Sequence, residues 1–356
     1  MARKIVHVVG TGTIGEPLIG LLSDYREPLG IDEVTFHKNT PLTSDRSKVR
    51  DLMRRGARLA VNEDAVDGFK SIGMDPDFST EEAIDRATVV IDCTPKGIGH
   101  KNKAEYYERF KKNTTGFVAQ GSEYGFGKMY ARGINDDVME TGNDQFIQVV
   151  SCNTHNMACL IQTLALQDLP AENLVEGRFV VMRRANDISQ DTSFLPSPQV
   201  GKHTDEKYGT HHGRDCAELF ATKNIDLNIY SSTLKLNSQY MHIVHFNLHV
   251  KEATTLQRVI DRLDANDRIS LTEKSTANSI FSFGRDHGHY GRILNQAVVP
   301  VQTLQVRNEH EIIGFAFTSQ DGNSLLSSIS ITDWFLYPHS FEEKIQCLQH
   351  LFFSEV

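Results

Sequence analysis

Little in this chain points to a membrane, a secretory route or a nucleic acid. No apolar run approaches the roughly 20 residues that a bilayer span needs. No signal-peptide core with a small-residue cleavage site precedes the first apolar strand, Lys4 to Val9, so a cytoplasmic location is expected. Basic residues are the minority, 37 Lys and Arg against 46 Asp and Glu, and the net charge of −9 gives no general attraction to polyanions. The five cysteines, Cys93, Cys152, Cys159, Cys216 and Cys347, are scattered, odd in number and without Cys-x-x-Cys spacing. That argues against a disulfide framework or a zinc site and for a reducing compartment. Internal repeats and low-complexity segments are also missing. What is present is a globular composition, 39% hydrophobic and 23% charged, in 356 residues, enough for two domains with cores of their own.

The most informative stretch is Ile147-Gln148-Val149-Val150-Ser151-Cys152-Asn153-Thr154. An apolar strand stops abruptly at polar residues and a helical pattern begins, Met157, Leu160, Ile161, Leu164. A cysteine at that turn meets a helix N-terminus. The dipole there favours thiolate, and the unpaired N–H groups suit a developing oxyanion. The ordinary role of a free cysteine is that of a small buried hydrophobe. The flanking polar residues and a nucleotide motif upstream favour the chemical reading.

That motif is Gly10-Thr11-Gly12-Thr13-Ile14-Gly15, which directly follows the first strand and opens a helix through Leu18, Ile19, Leu21 and Leu22. Strand, G-x-G-x-x-G, helix is the context in which glycines let backbone approach a pyrophosphate. The second strand, Glu33 to Phe36, ends in His37-Lys38 where an NAD-selective site usually carries an acid. Lys38 suits a 2′-phosphate, which suggests NADP or dual use, and a solvated lysine is the plain alternative. Asp45 to Ala60 reads as a basic helix with a solvated face. Strands at Ala87–Asp92 and Gly116–Ala119 deliver the loops Thr94-Pro95-Lys96-Gly97 and Gln120-Gly121. Repeated alternation of strand and helix predicts an α/β, doubly wound parallel sheet.

Beyond residue 170 the pattern changes. A strand at Gly177–Met182 ends in Arg183-Arg184, two guanidinium groups suited to phosphate or carboxylate. A loop rich in Ser, Pro and Gly, Asp187 to Gly209, closes on His211-His212-Gly213-Arg214-Asp215. Thr233 to Val250 reads as one long strand with Tyr240, His242 and Val244 on one face and His245, Asn247 and His249 on the other. Phe341, Ile345, Leu348 and Phe352 predict an amphipathic C-terminal helix.

Taken in order, Gly10 to Gly15, Ile91 to Gly99, Gln120-Gly121, Val149 to Thr154, Arg183-Arg184 and His211 to Asp215 resemble the archaeal-type (class II) glyceraldehyde-3-phosphate dehydrogenases. The resemblance implies a Rossmann domain over residues 1–151 and an α+β catalytic domain with a mostly antiparallel sheet over 152–337, with a helix at about 338–356 packing back on the first domain. It implies Cys152 as nucleophile and a strand histidine as base, best matched by His242 with His245 as fallback. Cofactor contacts fall at Gly10, Gly12, Thr13, Ile14, Gly15, Lys38, Thr94, Pro95, Gly97, Gln120 and Gly121. Substrate and phosphate contacts fall at Ser151, Asn153, Thr154, Arg183, Arg184, His211 and His212. NADP or NAD, a phosphorylated aldehyde, inorganic phosphate and a homotetramer complete the expectation.

The chain departs from that pattern at His155-Asn156, in place of Thr-Gly, at Cys159, where an arginine is usual, and at Arg214, in place of proline. A neutral cysteine cannot hold phosphate as arginine does, so either Arg214 or His155 supplies the grip or the substrate differs. A related semialdehyde or acyl reductase and a catalytically silent dinucleotide-binding regulator are the alternatives. A metal site from His211, His212, Asp286, His287 and His289 is a further alternative, but Asp286-His287-Gly288-His289 lacks an established ligand spacing. His242→Asn is expected to slow hydride transfer more than His245→Asn, measured by single-turnover cofactor reduction. The opposite order would move the base to His245.

Overall fold

Continuous apolar runs that are buried on both faces pair in a sheet covered on both sides, and such runs form the centre of an eight-stranded sheet here. Its strands are β1 (Ile5–Val9), β2 (Glu33–His37), β3 (Arg58–Val61), β4 (Phe78–Ser79), β5 (Val89–Asp92), β6 (Gly116–Ala119), β7 (Lys128–Tyr130) and β8 (Phe146–Val149). Their order is β4-β3-β2-β1-β5-β6-β8-β7, and every pairing is parallel. The direction of winding reverses between β1 and β5, the topological switch point at which such sheets bind ligands. The computed structural model describes residues 3–188, 190, 194–319 and 321–356. Among them no helix is long and apolar enough to cross a membrane.

The second sheet takes β9 (Leu174–Arg183), β10 (Gln199–Val200), β11 (Ile229–Lys235), β12 (His242–Val250), β13 (Ile269–Thr272), β14 (Ala297–Pro300), β15 (Gln305–Arg307) and β16 (Glu311–Thr318). Its order is β10-β11-β9-β12-β16-β14-β13, with β15 on β16. Antiparallel pairs dominate. The parallel pairs β9–β11 and β13–β14 each enclose a helix, His211–Ala221 and Ala277–His287, because a parallel return needs a crossover. The chain forms two compact units. One holds Met1–Tyr130, Met139–Val149 and Leu325–Gln349, and the other Ala131–Val138, Val150–Ser324 and His350–Val356.

Several elements differ from the reading of the sequence. The strand expected over Thr233–Val250 is two, β11 and β12, broken by a turn in which Tyr240 takes φ +80°. Period two cannot see such a break, because Ser and Asn inside it continue the alternation. The basic segment Asp45–Ala60 is a helix only over Arg46–Arg54, and Arg58 already opens β3. The C-terminal segment is a short helix, Phe341–Lys344, and a 3-10 stretch, Ile345–Leu351, instead of one amphipathic helix. A 15-residue helix, Gly322–Leu336, was not anticipated. Its buried Ser324, Ser327, Ser328, Ser330, Thr332 and Asp333 give it no apolar period to read. Ser189 and Asp191 to Ser193 of the long loop lie outside the described residues.

The turn after β1 depends on glycine twice. Gly10 has φ +99°, and a Cβ on Gly15 would lie 2.1 Å from the Gly10 carbonyl oxygen. Gly15→Ala must therefore push backbone against backbone. It is expected to lower stability by at least about 1–3 kcal/mol, read as an earlier midpoint in chemical denaturation. A variant as stable as the wild type would show that this turn opens freely.

Candidate functional site

In the first unit the loops after β1, β2, β5 and β6 share the carboxyl edge of the sheet, which gathers Gly10, Gly12, Thr13, Ile14, Gly15, Lys38, Thr94, Pro95, Gly97, Gln120 and Gly121. Gly10 N–H donates to the His37 carbonyl at 3.2 Å, and Cys93 N–H to that of Val9 at 2.8 Å, which pins both loops to the strand ends. Nothing lies within 4 Å of a Cβ built on Gly12, so its backbone borders open space at the start of the helix Gly15–Asp24. That open glycine beside a helix N-terminus fits a pyrophosphate. Lys38 is ion-paired with Asp45 at 2.8 Å, which Lys48 also approaches at 3.5 Å. Asp92 orders the next loop: it accepts from Thr94 N–H at 2.9 Å, Asn102 Nδ2 at 2.8 Å and Tyr107 Oη at 2.6 Å. Pro95 closes that loop by accepting from Ile98 N–H, Gly97 N–H donates to Glu123, and Gln120 Nε2 donates to Ser328 Oγ at 3.0 Å.

In the second unit Cys152 opens the helix Cys152–Ile161, and Ser151 caps it by accepting from Thr154 N–H. Such a cap contributes about 1 kcal/mol. The helix packs on β9, β12, β14 and β16. Asn323 Nδ2 donates to the Cys152 carbonyl at 2.9 Å, Thr318 Oγ1 donates to Asn153 Oδ1 at 3.2 Å, and Asn156 Nδ2 donates to Thr318 Oγ1 at 3.1 Å. Thr318 stands directly opposite His242 across β16 and β12, so His242 lies on the face that carries the cysteine helix. His245 points to the other face, against the Phe315 ring at 4.9 Å.

Arg184 and Asp321 meet at this face. Arg184 is 4% exposed. Its guanidinium donates to Asp321 Oδ2 at 3.1 Å, Asp187 Oδ1 at 2.9 Å and the Tyr240 carbonyl at 3.2 Å. Its two terminal nitrogens are thereby committed to protein acceptors, and its buried Nε has no partner among the described residues. Arg183 ends β9 at the surface. Asp321 is buried, takes φ +62° and precedes Gly322, whose Cβ would strike the Ile293 carbonyl at 1.7 Å. Asp321 was not foreseen. A visible signal existed in the switch from the alternating β16 pattern to Asp321-Gly322-Asn323 before a helix.

The ionisation of Cys152 runs against the expectation from the helix dipole. Burial, then the Asp321 carboxylate, which accepts a hydrogen bond from the thiol, push the thiol up, and Arg184 opposes them only in part. Asp321 itself is held below its ordinary value, because Arg184, His242 and Arg292 outweigh the upward push of burial. His242 is driven down to about 3 by burial and by Arg184. His155 is buried, donates from Nδ1 to the Ser151 carbonyl at 3.0 Å, and is lowered to about 4 by burial. His212 lies 3.4 Å from Ser151 Oγ through Nδ1, meets the exposed His211 ring at a tilt of 43°, and keeps a buried Nε2 without a partner among the described residues. Arg214 pairs with Asp215 at 2.8 Å. Neither His155 nor Arg214 therefore stands as an uncommitted cation. Cys159 is buried beside Asn266, with Arg268 near enough to act on its thiol.

Replacing Asp321 by Asn removes the charge that adds to burial in pushing the thiol up. At pH 8 iodoacetamide is expected to alkylate Cys152 at least about tenfold faster in Asp321→Asn, since one pKa unit is a factor of ten in thiolate. Peptide mass mapping of the alkylated cysteine checks this. An unchanged rate would mean that the carboxylate does not govern the thiol.

No protein-family model matches the chain. Among curated proteins it is similar to the glyceraldehyde-3-phosphate dehydrogenase of Methanopyrus kandleri, with 28% identity over 325 residues, 86% of this chain and 85% of that protein. It is 26% identical to glyceraldehyde-3-phosphate dehydrogenase 1 of Methanosarcina barkeri, over 80% of this chain and 79% of that protein. The Pyrobaculum islandicum glyceraldehyde-3-phosphate dehydrogenase gives 23% over 80% and 78%. The parallel sheet with its glycine turn, the capped cysteine helix and these similarities together identify the chain as a divergent relative of the archaeal glyceraldehyde-3-phosphate dehydrogenases.

Proposed function

We propose that the protein is a nicotinamide-dinucleotide-dependent aldehyde dehydrogenase that works through a thioester on Cys152, with glyceraldehyde 3-phosphate as the first candidate substrate and inorganic phosphate as acyl acceptor. The observation that carries this reading is the placement of Cys152 at a Ser151-capped helix start, on the sheet face that also holds His242, Arg184 and Asp321. The bound dinucleotide would rest on Gly10, Gly12 and Gly15 and supplies a hydride acceptor. Lys38 and Lys48 share one acid, Asp45, and so leave a net positive charge beside the end of β2. That balance favours NADP over NAD. The residues of this chain do the rest. Cys152 attacks the carbonyl carbon, and N–H groups at the helix start hold the developing oxyanion. His212, with its buried and unpartnered Nε2 near Ser151, and Arg183 at the end of β9 are the groups left to meet a phosphate.

A second reading rests on one observation. Burial, and after it the carboxylate of Asp321, push the Cys152 thiol up, as a dinucleotide-binding regulator without turnover would allow. The two separate cleanly. If the enzyme reading holds, NADP or NAD is reduced with glyceraldehyde 3-phosphate in a phosphate-dependent way. Cys152→Ser then abolishes turnover and leaves cofactor affinity within about twofold, since the cysteine supplies chemistry and not dinucleotide contacts. Cofactor binding with no reduction of either dinucleotide by any aldehyde would leave the regulator. Turnover without phosphate would point to an acid or another acyl acceptor as the product route.

A further inference from the structure

Thr318 and Asn323 hold the cysteine turn on either side of Asp321. Thr318 Oγ1 donates to Asn153 Oδ1 at 3.2 Å, and Asn323 Nδ2 donates to the Cys152 carbonyl at 2.9 Å. Asn323 Nδ2 also donates to the Gln296 carbonyl at 3.1 Å, and Ser319 Oγ donates to the Asn295 carbonyl, which ties the same stretch to its neighbours. Between these anchors Asp321 is buried, accepts from Arg184 at 3.1 Å through Oδ2, and accepts the Cys152 S–H. A carboxylate within hydrogen-bond reach of a sulfur lies within one water molecule of any carbon bonded to that sulfur.

Resting on the enzyme reading above, we propose a further activity: in the absence of phosphate the thioester on Cys152 is hydrolysed, and Asp321 is the general base that draws the proton from the attacking water. Once an acyl group replaces the proton on sulfur, the carboxylate has lost its S–H donor, and water enters past the partly exposed cysteine to take that place. A water O–H bond breaks and its proton passes to Asp321. The water oxygen bonds to the thioester carbon, and the C=O electron pair moves to oxygen, where the N–H groups of the helix start hold it. The C–S bond breaks as C=O re-forms. Sulfur leaves with the bonding pair and takes the proton back from Asp321. The products are a carboxylic acid, the Cys152 thiol and the Asp321 carboxylate. Nothing is oxidised or reduced, and water is the one co-reactant.

The charges around Asp321 suit both halves of that cycle. Burial raises its carboxyl, but Arg184, His242 and Arg292 outweigh burial and leave it below its ordinary value. It is therefore ionised at neutral pH and ready to accept a proton. Asp187 lies across the guanidinium, on the same Arg184 nitrogen, and Cys152 is the remaining titratable neighbour. The thiol is pushed up, first by burial, so return of the proton from a carboxylic acid to the departing sulfur runs downhill. The mismatch that makes Asp321 a poor base toward the resting thiol makes its acid form a good proton donor to the leaving group.

The test needs no dinucleotide. The full-length protein is acetylated with p-nitrophenyl acetate in phosphate-free buffer and desalted, and loss of the acetyl group from the Cys152 peptide is followed by mass spectrometry. Asp321→Asn is the variant of choice, because Asn tolerates the φ of +62° as Asp does. It is expected to be acetylated faster, since its thiol ionises more readily, and to lose the acetyl group about 10²-fold or more slowly, the scale of general base catalysis. A merely structural defect would slow both steps. Release in the wild type is expected to stay flat from pH 6 to 8, where the carboxylate is already ionised, and in the variant to climb about tenfold per pH unit, as hydroxide attack does. Equal release rates in the two proteins, or a wild type that follows hydroxide, overturn the role of Asp321 and leave the enzyme reading, which aldehyde-dependent reduction tests, untouched. A wild type that is never acetylated on Cys152 overturns the hydrolytic step as well. Asp321-dependent release in a protein that reduces no dinucleotide with any aldehyde supports the hydrolytic step and overturns the dehydrogenase.

Discussion

The buried guanidinium of Arg184 is the constraint on which the candidate active site depends. It lies under the sheet face that carries the cysteine helix, and it binds Asp321, Asp187 and the Tyr240 carbonyl at once. Burying a cation and a carboxylate costs several kcal/mol each, and the pair repays that only when both are held and bonded. Removing one partner would expose the full cost, about 3–5 kcal/mol. This is why Asp321 tolerates φ +62° beside a glycine that nothing larger could replace. Arg184 acts through its main chain as well, because its backbone N–H donates to Nδ1 of His242. One arginine thus fixes a carboxylate beside the thiol and the tautomer of the histidine on the same face.

Magnitudes decide the state of the thiol. A helix N-terminus is worth about 0.3–1 kcal/mol to a negative charge, rarely 2, which is roughly one pKa unit or less. Burial and the Asp321 carboxylate act in the opposite direction with greater force, and Arg184 divides its charge between two acids. The resting cysteine is therefore a thiol. Any reaction must generate the thiolate when the substrate is in place, and the helix N–H groups then act on the oxyanion instead of on the sulfur.

Five strands of the first sheet, β1, β2, β5, β6 and β8, were legible in the sequence, and the short β3, β4 and β7 were not. Parallel strands buried on both faces must be continuously apolar, and the Gly10–Gly15 turn has few other uses in that context. The cysteine helix was also legible, because Ser151 is a strong cap and the apolar period starts directly after it. What escaped was long-range. The distance of about 140 residues between Arg184 and Asp321 hides their pairing from any local pattern. The helix Gly322–Leu336 hid for a different reason: its buried Ser, Thr and Asp residues carry no amphipathic signal. The turn that separates β11 from β12 was masked by alternation, which continues through Tyr240 although its backbone does not.

Acyl-enzyme trapping tests the central claim most directly. The protein is mixed with glyceraldehyde 3-phosphate and oxidised dinucleotide in the absence of phosphate, quenched in acid within a second, and its intact mass and peptides are read. The account predicts a glyceroyl adduct on the Cys152 peptide, formed only when the dinucleotide is present and released by inorganic phosphate. An unmodified Cys152, or an adduct on Cys93 or another cysteine in its place, would contradict it.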